Sequence, residues 1–485
     1  MTGERMEKKT VATGGAKVEL AAALARVLSE RLAGFRALQT CERLSGGASQ
    51  ETYRVVIETA DGTRKLAMRR APGGSRYAFS ATGPGLSTEA KLLGAARAAG
   101  VPEPAILHVF EEGDGLGDGF LMEWLEGETL GARITRAPEF DAIRPQLARQ
   151  CGEVLARIHA IDVHATGLGN VLQQRTPEQL VHETWDLYQA YNTPQPMIDF
   201  AARWLLEHLP PALPPRLVHG DFRNGNLMIS AECGIVAVLD WELAHVGDPM
   251  RDLGWLCTNS WRFGRSDLPV GGFGAIDDLL AGYASVSGTK VAPEHVKFWI
   301  VFGSFWWAVG CLSMAQFYRL GADKSVERPT IGRRSSECQV DCVNLLIPGP
   351  VEEPPGETKE STLDMPRANE LLTAVRDFLR NDVMSTTTGR TNFHARVASN
   401  ALDIVLRELE IGPAHRARER DGFERILGHS GDLEALRWEL VQALRDGTMS
   451  LDRAGLADHL RQTVVTQVAI DQPQYSGYRA ALGRD

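Results

Sequence analysis

The chain has 485 residues, 24% of them charged and 44% hydrophobic, with a formal net charge of −10. That length exceeds what one core normally fills and predicts two to four domains. The acidic balance excludes a generally basic surface for nucleic acid, although a local cationic cleft stays open.

Residues 1–16 are polar and read as a disordered N-terminus. Met1 to Lys17 lacks the apolar core of a signal peptide, and no run of eighteen apolar residues follows, so no membrane span is expected. Seven cysteines, odd in number and mostly in apolar contexts, predict reduced, buried thiols of a cytoplasmic protein. Val18 to Leu32 carries leucine and alanine at helical spacing. Next come an extended stretch from Arg36 to Leu44, the loop Ser45-Gly46-Gly47-Ala48-Ser49-Gln50, and a strand from Thr52 to Ile57. An Asp61-Gly62 turn leads to a returning strand from Lys65 to Arg70. A loop of small residues between paired strands can lay its amides over phosphates, but many hairpins carry Gly-Gly with no such duty. Leu86 to Ala99 reads as a helix, Ile106 to Phe110 and Phe120 to Leu125 as strands. Helices are expected from Pro145 to Ala160, Gln179 to Tyr191 and Pro196 to His208.

The stretch Val218-His219-Gly220-Asp221-Phe222-Arg223-Asn224-Gly225-Asn226, followed by Leu239-Asp240-Trp241-Glu242, carries the chemistry. It sets two carboxylates and an amide at the ends of apolar runs, which can hold them still. Phosphoryl transfer needs positioning and charge neutralisation, so a few hard oxygen donors on rigid elements suffice. Asp221 would accept or orient the proton of an attacking hydroxyl; Asn226 and Asp240 would hold Mg2+ against the phosphates of a nucleotide. Taken singly, each has a blander reading: a turn cap, a self-bonded amide, a strand end. The set in this order and spacing favours the chemistry.

These motifs resemble the aminoglycoside phosphotransferase and choline kinase branch of the protein-kinase-like fold. The resemblance spans about Gly34 to Ile347. It implies an α+β, bilobal architecture: a small antiparallel-sheet lobe at 17–125 and a mostly helical large lobe at 126–347. It makes Asp221 the catalytic base, Asn226 and Asp240 the metal ligands, and ATP or GTP the donor. The cofactor-binding positions it implies are Ser45, Gly46, Gly47 and Ser49 in the loop, Arg69 and Glu89 as a cation–acid pair, and Glu123, Trp124 and Leu125 at the hinge. Arg69 stands where kinases carry lysine; guanidinium also pairs with phosphate, in planar geometry. Lys65 and Arg76 are further candidates for that duty. Glu242 could touch a second magnesium, and His219 and His159 read as structural. The Leu66-Ala67-Met68-Arg69-Arg70 strand and the Asp240-Trp241-Glu242-Leu243-Ala244 phrase are similar to the subgroup associated with acyl-CoA dehydrogenases. That suggests a hydroxyacyl-CoA as the hydroxyl acceptor. Aminoglycosides, choline-like alcohols and sugars stay open as acceptors, and a non-catalytic nucleotide-binding module is the other alternative; scattered acids disfavour aminoglycosides, and the intact base and metal positions disfavour the module. The chain lacks Asp-Phe-Gly and Ala-Pro-Glu segments, against a protein kinase.

Asp248 is expected to cap a helix that starts at Pro249, with Asp252 in its first turn. Trp255 to Arg262, Ile276 to Ser285, Pro293 to Leu320 and Ile331 to Leu346 read as the remaining large-lobe helices, with the aromatic-rich segment Trp299, Phe305, Trp306 and Trp307 as packing. Residues 348–366, rich in Pro, Glu and Thr, read as a linker. An all-α C-terminal domain follows at 367–485, with helical period at Leu371 to Leu379, Phe393 to Leu409 and Leu433 to Leu444. Arg390, Phe393, His394, Arg396 and Val397 resemble a bacterial domain of unknown function that occurs beside such kinases. Its cationic cluster is expected to face the large lobe.

Overall fold

Antiparallel pairing builds the first structural layer. In the computed structural model, which describes residues 19–44, 50–74, 85–354 and 365–484, five strands form one sheet in the order β1-β2-β3-β5-β4. They are β1 (Phe35–Arg43), β2 (Glu51–Thr59), β3 (Gly62–Arg70), β4 (Ile106–Val109) and β5 (Gly119–Glu123). Tyr53, Val55 and Ile57 alternate inward along β2, as a half-buried strand requires. They pack with Leu66 and Met68 of β3 and with Leu24, Val27 and Leu28 of the helix at 19–31. Each such side chain contributes about 1.5–3 kcal/mol by burial. The helix Leu86–Ala98 packs against β4 and β5, burying Leu86, Leu92 and Leu93.

The chain divides into two compact units. The first comprises Met1–Arg175, Leu213–Asp252 and Asp277–Lys290. Beyond the sheet it holds the buried helix Arg144–His159 and two short antiparallel pairs. Strand β6 (Arg216–Val218) pairs with β9 (His245–Gly247), and β7 (Leu227–Ser230) with β8 (Gly234–Val238).

The second unit comprises Thr176–Ala212, Leu253–Ile276 and Val291–Asp485, and its regular structure is helical. Its helices include Pro177–Ala190, Pro196–Glu207, Pro293–Arg319, Glu327–Arg333 and Ser335–Leu346, then Ala368–Phe378, Gly389–Leu427, Leu433–Arg445, Leu456–Asp471 and Ser476–Ala481. Helices from beyond the proline-rich segment therefore share a unit with helices from before it. Asp199, fully buried, accepts from Trp185 Nε1 (2.8 Å), Tyr188 Oη (2.9 Å) and Arg445 Nε (2.8 Å). Arg333 reaches Asp471 at 2.7 Å, and His394 of the cationic cluster meets Glu327 at 2.7 Å.

Among the described residues one helix, Pro293–Arg319, is long and apolar enough to cross a membrane, and 61% of its most apolar window is buried. Its tryptophans pack edge-on: Trp306 lies 5.1 Å from Trp255, and Trp299 5.2 Å from Phe302. All seven cysteines are free, and five are buried. Cys233 departs from the expected burial and is exposed, because it sits in the turn between β7 and β8.

Candidate active site

Two loops carry the sequence-predicted residues, and paired strands clamp both. The segment His219 to Asn226 leaves β6 and enters β7; Asp240 follows β8 and precedes β9. The Leu239 N–H donates to the Asn226 carbonyl at 2.7 Å, stitching one loop to the other. Asp240 sits in the left-handed region at φ 70°, a conformation that Asp tolerates better than most residues.

Asp221 is nearly buried, and both its carboxylate oxygens are engaged. Oδ1 accepts from Arg223 Nε at 3.0 Å; Oδ2 accepts from Asn226 Nδ2 at 2.6 Å. A carboxylate has about four acceptor sites, so these two bonds alone do not saturate it. Because the Asn226 nitrogen is spent on Asp221, the amide orientation is fixed and its oxygen is the atom left for a cation.

Arg69 joins this group from the sheet. Its Nη2 lies 2.8 Å from Asp240 Oδ1 and its Nε 3.2 Å from Glu89 Oε1. Burial would lower the guanidinium, but Glu89 and Asp240 outweigh it, so Arg69 is raised and stays charged. Burial pushes Glu89 up to about 7; Arg69 pulls against that, and Asp240 and Glu242 add to it. The neighbouring Arg70 points elsewhere, donating to the Leu116 carbonyl at 2.6 Å. Lys65 is spent on an exposed pair with Glu126 at 2.7 Å. Thus Asp221 contacts Asn226, Arg69 contacts both Asp240 and Glu89, and the Leu239–Asn226 backbone bond joins the two groups inside the first unit.

Beneath the loop, His219 supplies part of the support, as its place in the motif suggests, and Asp252 supplies the rest. Asp252, fully buried, accepts the backbone N–H of His219 (2.8 Å) and Gly220 (2.9 Å), and His159 Nε2 at 3.1 Å. Burial alone would raise its carboxyl, but these donors hold it down at about 2. Arg251 Nη1 donates to the Gly220 carbonyl at 3.0 Å. His219 accepts the Asp221 N–H on Nδ1 at 3.1 Å, and burial lowers its pKa, so the neutral ring carries its proton on Nε2. Trp241 lies 4.5 Å from that ring and donates to Glu103 at 3.1 Å. The only hint in sequence was an acid in the first helical turn after Pro249; nothing there showed that it faces the loop. As expected, Asp248 caps that helix, accepting from Met250 N at 2.9 Å.

Gly220 has φ +85°, and a Cβ there would lie 2.3 Å from the Leu243 carbonyl oxygen. Gly220→Ala is expected to lower stability by about 1–3 kcal/mol and to displace Asp221. A displacement of about 1 Å costs roughly 10²-fold in rate. Thermal unfolding and turnover on the same sample check both.

The loop positions Ser45, Gly46, Gly47 and Ser49, and Arg76, lie outside the described residues. At the hinge, Glu123 ends β5 and donates its backbone N–H to the Ala105 carbonyl at 2.9 Å. Trp124 and Leu125 follow it directly. Among the described residues no group of three or more His, Cys, Asp or Glu could hold a metal by itself. One amide and one carboxylate still suit a magnesium ion that takes its other ligands from phosphates and water.

A family model described as the phosphotransferase enzyme family matches residues 40–288, and one described as a domain of unknown function (DUF6285) matches 385–475. A Mus musculus protein named acyl-CoA dehydrogenase family member 10 is 34% identical over 221 residues, covering 44% of this chain and 19% of that protein. Acyl-CoA dehydrogenase family member 11 of Rattus norvegicus is 24% identical over 399 residues, covering 77% and 49%. The chain thus spans half or less of these relatives' own length. A crystal structure from Ralstonia eutropha JMP134, provisionally described as an aminoglycoside phosphotransferase, superposes with TM-score 0.54 at 23% identity, covering 66% of this chain and 95% of that one. The architecture is that of the protein-kinase-like fold: an antiparallel-sheet lobe, a helical remainder and a helical C-terminal region.

Proposed function

Since the chain belongs to the phosphotransferase enzyme family, we propose that it is a small-molecule kinase. It transfers the γ-phosphoryl of ATP or GTP to a hydroxyl of a metabolite. The observation that carries this reading is that the Asp221–Asn226 pair and the Asp240–Arg69–Glu89 cluster stand on loops joined by the Leu239–Asn226 backbone hydrogen bond. Asp221 orients the acceptor hydroxyl and takes its proton, while Arg223 and Asn226 hold the carboxylate in place. Arg69 meets phosphate charge with a guanidinium pinned between two acids. Asn226 and Asp240 would hold magnesium, which neutralises phosphate charge and fixes the donor's geometry. The acceptor class proposed is a hydroxyacyl-CoA or related metabolite; the relatives named as acyl-CoA dehydrogenase family members support it.

The test is magnesium-dependent turnover of ATP and GTP, followed by phosphorus NMR, with hydroxyacyl-CoAs, other hydroxylated metabolites and aminoglycosides as acceptors. Product from the acyl-CoA class alone is the expected result. Product from aminoglycosides alone would move the acceptor, and failure to bind either nucleotide would sink the reading.

A further inference from the structure

Among the described residues, two links join the helix Leu86–Ala98 to the turn that carries Asp240. The charged link runs from Glu89 through Arg69 to Asp240. The other runs through the connector Val101-Pro102-Glu103-Pro104, which leaves that helix and leads into β4. Arg97, in the last turn of the helix, donates to the Glu103 carbonyl. The Glu103 side chain, 2% exposed, accepts from the Trp241 indole Nε1 at 3.1 Å. One residue earlier, the Pro102 carbonyl accepts the Val238 N–H at 3.2 Å. The connector therefore grips the chain on both sides of Asp240, at positions 238 and 241.

Trp241 can act on both catalytic loops. It follows Asp240 directly and is fully buried, so its ring fixes the left-handed backbone at Asp240, φ 70°. The same ring lies 4.5 Å from His219, whose Nδ1 accepts the Asp221 N–H at 3.1 Å. A carboxyl is not what stability alone would place beneath it. Burial pushes Glu103 well above the ordinary carboxylate range, the Trp241 bond pulls against that, and Glu89 adds to it. Its Oε2 is buried with no partner among the described residues. An apolar side chain of similar size would cost less. What the carboxyl adds is direction, one acceptor aimed at one indole N–H. The link also outlasts the charged one. Nucleotide phosphates compete with Asp240 and Glu89 for the Arg69 guanidinium, whereas Glu103 and Trp241 are buried out of their reach.

We propose that Glu103 is a positioning residue for phosphoryl transfer. Through the Trp241 indole it holds Asp240 and the Asp221 loop in register while Arg69 is engaged with phosphate. The inference rests on the kinase reading above.

Manganese standing in for magnesium, titrated by electron paramagnetic resonance beside a non-hydrolysable ATP analogue, reads the Asp240 site without turnover. Glu103→Leu combined with Trp241→Phe removes both partners and leaves no indole N–H unmade, so thermal unfolding should stay close to wild type. Its manganese affinity is expected to fall about ten-fold or more, as when a residue orienting a metal ligand is removed, and its turnover number to fall with it. A merely structural role would do the reverse, lowering the unfolding midpoint and leaving the affinity of the folded protein unchanged. Trp241→Phe alone, which keeps a ring in the space, is expected to show the same loss of affinity. Glu103→Gln keeps the acceptor oxygen and should retain both affinity and turnover. Wild-type affinity in the double variant, or an equal loss in Glu103→Gln, would overturn the inference while the kinase reading stood. A wild type that bound neither the nucleotide analogue nor manganese would overturn both.

Discussion

Asp221→Asn is expected to lower the turnover number by about 10³-fold while nucleotide affinity stays within a few-fold of wild type. The amide is isosteric and can still accept from Arg223 Nε; it gives up the bond from Asn226 Nδ2, which still donates to the backbone carbonyl of residue 221 at 3.0 Å, so the loop keeps its shape. What it loses is the capacity to take a proton, and with it the charge that pins Arg223. The phosphates meet Arg69, Asn226 and Asp240 instead, so ground-state binding does not depend on that proton. Single-turnover kinetics beside equilibrium nucleotide titration separates the two quantities. A variant that lost binding and rate in equal measure would make Asp221 a structural anchor rather than a base.

Asp252→Asn is expected to destabilise the protein by about 3–5 kcal/mol, the cost of breaking a buried charged network by removing one partner. Asp252 accepts three donors at once, and two of them are the backbone N–H groups of His219 and Gly220. An amide can serve only some of these, and its own NH2 would face donors. The pH dependence gives a second signature. The folded carboxyl is held at about 2 against an ordinary 3.8, so its stabilisation is complete above the ordinary value. It is lost as pH falls from there toward 2, because the unfolded chain takes up the proton first. Chemical denaturation across that range should show this acid limb in the wild type and a flatter one in the variant. A change below about 1 kcal/mol, or an unaltered limb, would contradict the arrangement.

Local pattern made much of this legible. The alternation through Tyr53, Val55 and Ile57, the Asp61-Gly62 turn and the spacing from Asp221 to Asn226 to Asp240 are short-range signals. Arg69 could be preferred over Arg70 because strand side chains alternate faces. Asp252 could be located but not understood, since its partners lie more than thirty residues upstream and two of the three are backbone groups without sequence identity. In the C-terminal region the helical period is evident from Phe393 to Leu409. The structure continues the helix through Pro413 to Leu427, packed on both Leu433–Arg445 and Leu456–Asp471. Leu456–Asp471 was missed because it is buried on most of its circumference, which erases the one-sided period that betrays a surface helix.

The Asp199 contact binds the history of two stretches of gene. A carboxylate with no exposure to water is matched by a guanidinium encoded nearly 250 positions later. Deleting or exchanging the distal segment would leave that negative charge stranded among Trp185 and Tyr188, a penalty no nearby loop could absorb. A lineage could shed those helices only after first rewriting position 199. The two matched regions are therefore expected to travel together, and an acid retained at 199 should forecast an arginine at 445.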